Sequence, residues 1–187
     1  MANRDTPIGF RPAQGIGSQH VYKMFRVDSN NATAVFVGDV LDLDGEGVGP
    51  AAADAGVSAA GVCVALFDSE GIPVGHPNSS VSTKHLTAST AGFALTSLAM
   101  SGTVYIVQTQ TGETPTVDDI GLTSDHIATA GDTVTSTSRH ELTHSGGGLQ
   151  FRIIGKVEQP NNTWAEHVDV YVMFNESAFG VSGEASV

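Results

Sequence analysis

Cysteine and positive charge are both scarce in this chain of 187 residues. Its one cysteine, Cys63, excludes an internal disulfide and any metal cluster held by several thiolates. Eight lysines and arginines stand against twenty aspartates and glutamates, which gives a formal net charge of −12. A surface of that sign repels the phosphates of nucleic acid and of anionic lipid. We therefore expect no nucleic acid and no membrane among the partners of this protein.

Long apolar segments are also missing. No stretch approaches the ~18 apolar residues that a membrane-spanning helix needs. The opening segment MANRDTPIGFRPAQG has no apolar centre of the kind that marks a secretory signal. We therefore expect synthesis in the cytoplasm without an export signal.

What the chain has in abundance is glycine, serine and threonine, placed between short apolar segments. There are 22 glycines, and strand-like pieces such as VYKMFRV, TAVFVGDVLDL and GVCVALFD are each bounded by Gly, Asp, Asn or Pro. The length suits one domain with one core. The sequence predicts a mainly β protein, a single β-barrel or β-sandwich-like domain of short antiparallel strands.

The last third of the chain predicts a β-hairpin. LQFRIIGKVEQ places Phe151, Ile153 and Val157 in phase, with polar residues mostly on the other side, and HVDVYVMF places a large apolar residue at every second position from Val168 to Phe174. The intervening QPNNTWAE has the composition of a turn. We expect two antiparallel strands here, with Trp164 covering one end of the hairpin.

Two segments lack the strand pattern. Residues 1–19 hold several prolines and glycines around Ile8 and Phe10, which predicts an extended N-terminal arm, with a mobile terminus as the alternative. Residues 71–103 are rich in Ser, Thr and Gly, which predicts a loop-rich insertion. Residues 20–187, including that insertion, are predicted to form the β-rich domain.

One motif raises the question of catalysis, because His140, Glu141 and His144 have the H-E-x-x-H spacing of many zinc peptidases. That chemistry needs an α-helix, since residues four apart reach one metal only from one helix face. The preceding residues 133–138, TVTSTS, are weak helix formers, and three glycines follow at 146–148. The local sequence therefore disfavours the required helix.

A third zinc ligand is missing as well. Gln150 stands where the extended form of the motif has its third histidine, and Glu158 and Glu166 lie in or beside strand-like sequence. We interpret the motif as a chance match and expect no catalytic residue, no metal and no cofactor. A zinc peptidase remains a remote alternative, and so does a structural zinc site formed by several histidines within an oligomer.

Both ends of the chain resemble a known family. The opening MANRDTPIGFRPA is similar to the MAN-x-x-x-P-x-G-[FL]-[RK]-P start of small virion proteins encoded beside the major capsid protein of tailed phages, especially marine and cyanobacterial ones. LQFRIIGKVEQPNNTWAEHVDVYVMFNESAFG resembles their closing pattern, and VGDVLDLDGEGVGPAA followed by GVCVALFD resembles their G-D-V segment. Residues 71–147 show no such likeness.

The resemblance implies a decoration, or cement, protein and no enzyme. Such a subunit is β-rich, lies on the exterior of the virion, binds the major capsid protein of the expanded icosahedral head, and often forms a homotrimer. The arm would add its backbone to a capsid sheet edge while its side chains fill pockets. The residues expected to make these contacts are Pro7, Ile8, Phe10, Arg11 and Pro12. The alternative within the virion is a tail, neck or receptor-binding protein.

Overall fold

The fold consists of antiparallel β-strands, with about 42% strand and about 2% helix. The computed structural model describes residues 3–17, 19–45, 47–53, 59–143 and 150–179. No helix in these ranges is long and apolar enough to cross a membrane. In chain order the elements are β1 Arg11–Gly17, β2 Tyr22–Val27, β3 Val40–Asp44, β4 Gly47–Pro50, β5 Ala59–Asp68, β6 Gly92–Leu98, β7 Thr103–Gln108, a 3₁₀ turn Val117–Asp119, β8 Thr123–Ser124, β9 His126–Ile127, β10 Glu141–Leu142, β11 Phe151–Lys156 and β12 Asp169–Phe174.

The first sheet has the strand order β1-β7-β12-β11-β8. Its β11 and β12 form the hairpin that the alternating sequence predicts, with Phe151 opposite Phe174 and Lys156 opposite Val170. A bulge lies between Ile153 and Gly155. Trp164 packs, partly buried, against the core beneath the hairpin. The predicted hairpin is confirmed.

The second sheet has the order β2-β6-β5-β3-β4 and curls back on itself. Its last strand, β4, returns towards the first, β2, so closely that a side chain at Gly47 would collide with the backbone of Arg26. Glycine is required at this position because only a residue without Cβ permits the approach. A short two-stranded sheet, β9 with β10, lies outside both large sheets.

Strand β5 separates two apolar cores, and a bulge opposite Leu41 and Asp42 interrupts the alternation of its side chains between the two faces. Ala59 and Val62 face the core shared with the first sheet, and Ala60 and Cys63 face the interior of the curled second sheet. Tyr105, Val107, Phe151, Ile153, Val170, Val172 and Phe174 contribute to the shared core from the first sheet. The predicted mainly β, sandwich-like domain is confirmed.

The predicted N-terminal arm is wrong for residues 10–17. Strand β1 pairs antiparallel with β7 of the same chain, with Arg11 opposite Ile106 and Pro12 opposite Tyr105. Phe10 is 1% exposed and stacks on Phe151, with ring centroids 4.7 Å apart. The backbone is extended, as the prolines and glycines indicate, but the sheet edge that it occupies belongs to its own domain.

The predicted insertion 71–103 is wrong for residues 92–98. This segment is β6, an interior strand of the second sheet that pairs with β2 on one side and β5 on the other. Its buried residues include small or polar Ala94, Thr96 and Ser97, which do not form the run of large apolar side chains by which a sequence marks an interior strand. The remaining connection between β5 and β6 is a loop.

Asp68, at the end of β5, organises the first part of that loop. Its Oδ1 accepts hydrogen bonds from the backbone N–H groups of Glu70 and Ile72. Its Oδ2 accepts from the hydroxyls of Ser79 and Ser80 and from the backbone N–H of Ser80. Burial alone would raise the pKa of Asp68, but these hydrogen bonds outweigh it and hold the pKa below its usual range.

We expect Asp68→Asn to loosen the loop while leaving the sheets intact. Asparagine has one acceptor oxygen in place of two and lacks the charge, so several of the five hydrogen bonds are lost. Hydrogen exchange should show faster labelling of residues 70–81 than in the wild type. Glu70→Gln, which removes an exposed carboxylate from the same loop, is the matched control. Equal labelling in the wild type and Asp68→Asn would contradict this role.

Candidate functional site

The H-E-x-x-H motif does not begin on a helix. Glu141 and Leu142 form strand β10, and Glu141 lies opposite Ile127 of β9. His144 lies outside the described residues. Because successive side chains of extended backbone point to opposite sides, His140 and Glu141 face different surroundings. The helical arrangement on which the peptidase chemistry depends is absent from the described part of the motif, residues 140–143.

On one side of this backbone, His140 lies against Asp39. The Nδ1 of His140 accepts a hydrogen bond from the backbone N–H of Val40 at 3.2 Å, so the neutral ring carries its proton on Nε2. This Nε2 is 3.6 Å from Oδ1 of Asp39, and the two side chains are 4% and 2% exposed. Burial raises the pKa of Asp39 to about 7 and lowers the pKa of His140 to about 3.

A hydroxyl also lies beside this pair, but the order of the three groups differs from that of a hydrolase triad. The Ser138 side chain opposes the rise that burial causes in the pKa of Asp39, and its Oγ accepts a hydrogen bond from the backbone N–H of His140. Asp39 therefore lies between the serine and the histidine, whereas nucleophilic catalysis needs the histidine between the serine and the carboxylate. The three residues do not form that relay.

A cavity of about 490 Å³ adjoins the pair. Asp39 and His140 line it together with mainly apolar or small residues, among them Ala34, Phe36, Pro50, Ala51, Ala52, Ala128, Ala130 and Gly131. Gly131 is in direct contact with the ring of Phe36, where any larger residue would collide with that ring. The cavity combines apolar walls with two buried polar side chains.

On the other side of the backbone, Glu141 meets residues that are distant in sequence. One ligand-type atom each of Asp5, Glu141 and His167 lies within 4.8 Å of the other two. Oε1 of Glu141 and Nδ1 of His167 are buried and make no hydrogen bond. Burial raises the pKa of Glu141, Asp5 raises it further, and His167 and Arg139 oppose the shift. No local pattern in the sequence indicates this cluster.

The residues predicted to contact a capsid are divided by the fold. Ile8 and Arg11 are exposed, and Arg11 is 3.9 Å from the carboxylate of Asp169. Pro7 and Pro12 are half-buried. Phe10 is part of the core and is not available to a pocket on another protein. The predicted contact set is therefore wrong for Phe10.

The structure instead exposes a different apolar segment, formed by Ile16, Val21, Tyr22 and Met24. Each of these side chains is at least 40% exposed, although each is large and apolar. In β2 the inward positions are those of Phe25 and Val27, which leaves Tyr22 and Met24 on the outer face. The sequence VYKMFRV could have predicted this exposure, because apolar residues at both odd and even positions of one strand must lie on both of its faces.

Comparison with protein-family models, with curated proteins and with solved structures finds no match to this chain.

Proposed function

We propose that the protein is a virion structural protein that decorates the outer surface of the expanded icosahedral phage head and stabilises it, as a homotrimer bound to the major capsid protein. The observation that carries this proposal is the exposed apolar segment Ile16, Val21, Tyr22 and Met24 on a β-sandwich. The resemblance of both ends of the chain to phage decoration proteins supports it.

The apolar segment has the composition of a protein contact. Tyr22 is 51% exposed and Met24 is 47% exposed, and both residue types are enriched in protein interfaces. Exposed apolar surface marks a site that a partner covers, and these four side chains lie within nine residues of the chain. The net charge of −12 suits a subunit outside the shell, because it disfavours binding to the packaged DNA.

The stabilisation would follow from mass action. A ligand that binds the expanded lattice, and not the separated capsid subunits, lowers the free energy of the assembled state as its concentration rises. A trimer links three such contacts, so that the second and third form at a high effective concentration. No catalytic step is needed.

We expect the double variant Tyr22→Ser, Met24→Ser to fold normally and to lose binding to expanded heads that lack this protein. Burying each side chain contributes roughly 1.5–3 kcal/mol, so the affinity should fall at least about tenfold. Co-sedimentation of purified protein with such heads measures it. Val134→Ser is the matched control, because Val134 is 92% exposed and lies far from this segment in sequence. Undiminished head binding by the double variant would exclude this segment as the contact.

Imaging of particles with and without the protein tests its location. A head decoration protein covers the shell in hundreds of copies, whereas a tail, neck or receptor-binding protein is limited to a few symmetric rings. Density on the outside of the shell that disappears without the protein is the expected result. Density confined to the tail or neck would favour the alternative.

A further inference from the structure

We propose that Asp5, Glu141 and His167 bind a zinc ion, through one carboxylate oxygen from each acidic residue and through Nδ1 of His167. One possible ligand atom of each residue already lies within 4.8 Å of those of the other two. Nδ1 of His167 is 3.8 Å from Oδ1 of Asp5. The site is independent of the proposed function, and it differs from the helical H-E-x-x-H arrangement, because its histidine is neither His140 nor His144.

Two of the three ligand residues each carry a buried side-chain atom that has no hydrogen-bond partner. These are Oε1 of Glu141 and Nδ1 of His167. A buried polar atom without a partner loses its hydration without compensation, and the cost is greater for a charged group, so native proteins rarely leave one unsatisfied. Both atoms belong to the same cluster, and a cation bound between them satisfies both at once.

The local charges favour a cation. Asp5 and Glu141 repel each other, and this repulsion adds to the burial that raises the pKa of Glu141. The nearby cation Arg139, which lowers the pKa of Glu141, is itself paired with the carboxylate of Asp132 at 3.0 Å. A divalent ion would offset the repulsion between the two carboxylates.

The donor set selects zinc among the common divalent cations. Calcium and magnesium prefer oxygen ligands alone, whereas an imidazole nitrogen combined with carboxylate oxygens suits zinc. Zinc binds these atoms at about 2.0–2.2 Å, so the three ligands have to draw closer together than they are here. Asp5 is the ligand free to make this movement, since its side chain is 58% exposed.

The residues that flank Asp5 hold the N-terminal segment in place for this contact. The Nδ2 of Asn3 donates hydrogen bonds to the backbone carbonyls of Thr163 and Glu166. The backbone N–H of Thr6 donates to Oε1 of Gln108. A zinc ion at the cluster would therefore join three parts of the fold, namely the N-terminal segment, β10 and the turn before β12.

The test is titration of chelator-treated full-length protein with zinc chloride, followed by calorimetry and by thermal unfolding. We expect one zinc per chain and a rise in the unfolding temperature with zinc concentration. Glu141→Gln and His167→Asn should each weaken binding by at least about tenfold. Asparagine is chosen at position 167 because His167 has φ +59, a left-handed conformation that asparagine tolerates. His76→Gln, which alters an exposed histidine, should bind zinc as the wild type does.

The outcomes separate this site from the motif in the sequence. Zinc binding that survives both Glu141→Gln and His167→Asn but is lost in His144→Gln would place the metal at the H-E-x-x-H histidines and overturn the proposal. Absence of saturable binding to the wild type would overturn it as well. Circular dichroism of each variant shows whether lost binding reflects a lost ligand or a lost fold.

Discussion

Deletion of residues 1–19 is expected to unfold the protein, not to release a dispensable tail. The deletion removes β1, which pairs with β7 along one edge of the first sheet. It also removes Phe10 from the shared core, where the ring stacks on Phe151. Ala13 of β1 is buried too. A missing edge strand leaves both an unpaired row of backbone groups and a gap in the core.

The single substitution Phe10→Ala should reproduce most of this effect. Truncating a buried phenylalanine to alanine costs about 3–5 kcal/mol, which is a large part of the 5–15 kcal/mol by which a typical domain is stable. Urea denaturation followed by tryptophan fluorescence measures the loss, because Trp164 packs against the same core.

Ile8→Ala is the matched control for this experiment. Ile8 lies two residues away on the same segment but is 44% exposed, so its truncation should cost less than about 1 kcal/mol. Equal denaturation midpoints for Phe10→Ala and Ile8→Ala would contradict the placement of Phe10. If truncation unfolds the protein, loss of head binding after truncation carries no information about the capsid contact. The Tyr22 and Met24 double variant tests that contact without disturbing the core.

The parts of the fold that the sequence predicts are those specified by local alternation. The hairpin of β11 and β12 follows from large apolar residues at every second position, from Val168 to Phe174. In β6 the large apolar Phe93 and Leu95 are only half-buried, and the buried positions include small or polar Ala94 and Ser97, so the same rule gives only a weak signal there. The pairing partner of β1 is β7, about ninety residues away, and local pattern does not specify a partner at that distance.

The candidate zinc ligands are harder still to predict, because topology alone brings them together. Asp5 lies before β1, Glu141 lies in β10, and His167 lies before β12. The sequence does single out Glu141, but through a motif whose spacing matters only on a helix. Because Glu141 lies in extended backbone, the histidine that shares its cluster is His167, which is distant in sequence, and not the adjacent His140.

Asp39→Asn is expected to become progressively more stable relative to the wild type as the pH rises from about 4 to about 7. Burial raises the pKa of Asp39 from 3.8 in the unfolded chain to about 7 in the folded protein. A raised folded pKa contributes stability that is fully present below the unfolded value and is lost as the pH rises through the folded value. Asparagine does not ionise and avoids this loss.

The size of the effect follows from the shift. Each pKa unit corresponds to about 1.4 kcal/mol, so the difference between variant and wild type should change by on the order of 4 kcal/mol across this range. Within the described part of the chain, two ionisable groups face Asp39, namely His140 at 3.6 Å and the thiol of Cys63, whose pKa is raised by burial and then by Asp39. Both remain in the variant, so the change with pH isolates the carboxylate of Asp39.

Urea denaturation of both proteins between pH 3.5 and 8 measures this difference directly. A constant offset would reflect altered hydrogen bonds, such as the one that the backbone N–H of Phe36 donates to Asp39, and only the slope with pH reports the ionisation. Asp132→Asn provides a control of opposite sign. Hydrogen bonds from the backbone N–H groups of Thr135 and Val134 lower the pKa of Asp132, so this carboxylate contributes stability that is lost as the pH falls below about 4. A difference between Asp39→Asn and wild type that does not vary with pH would show that the carboxylate of Asp39 is not held in an apolar environment.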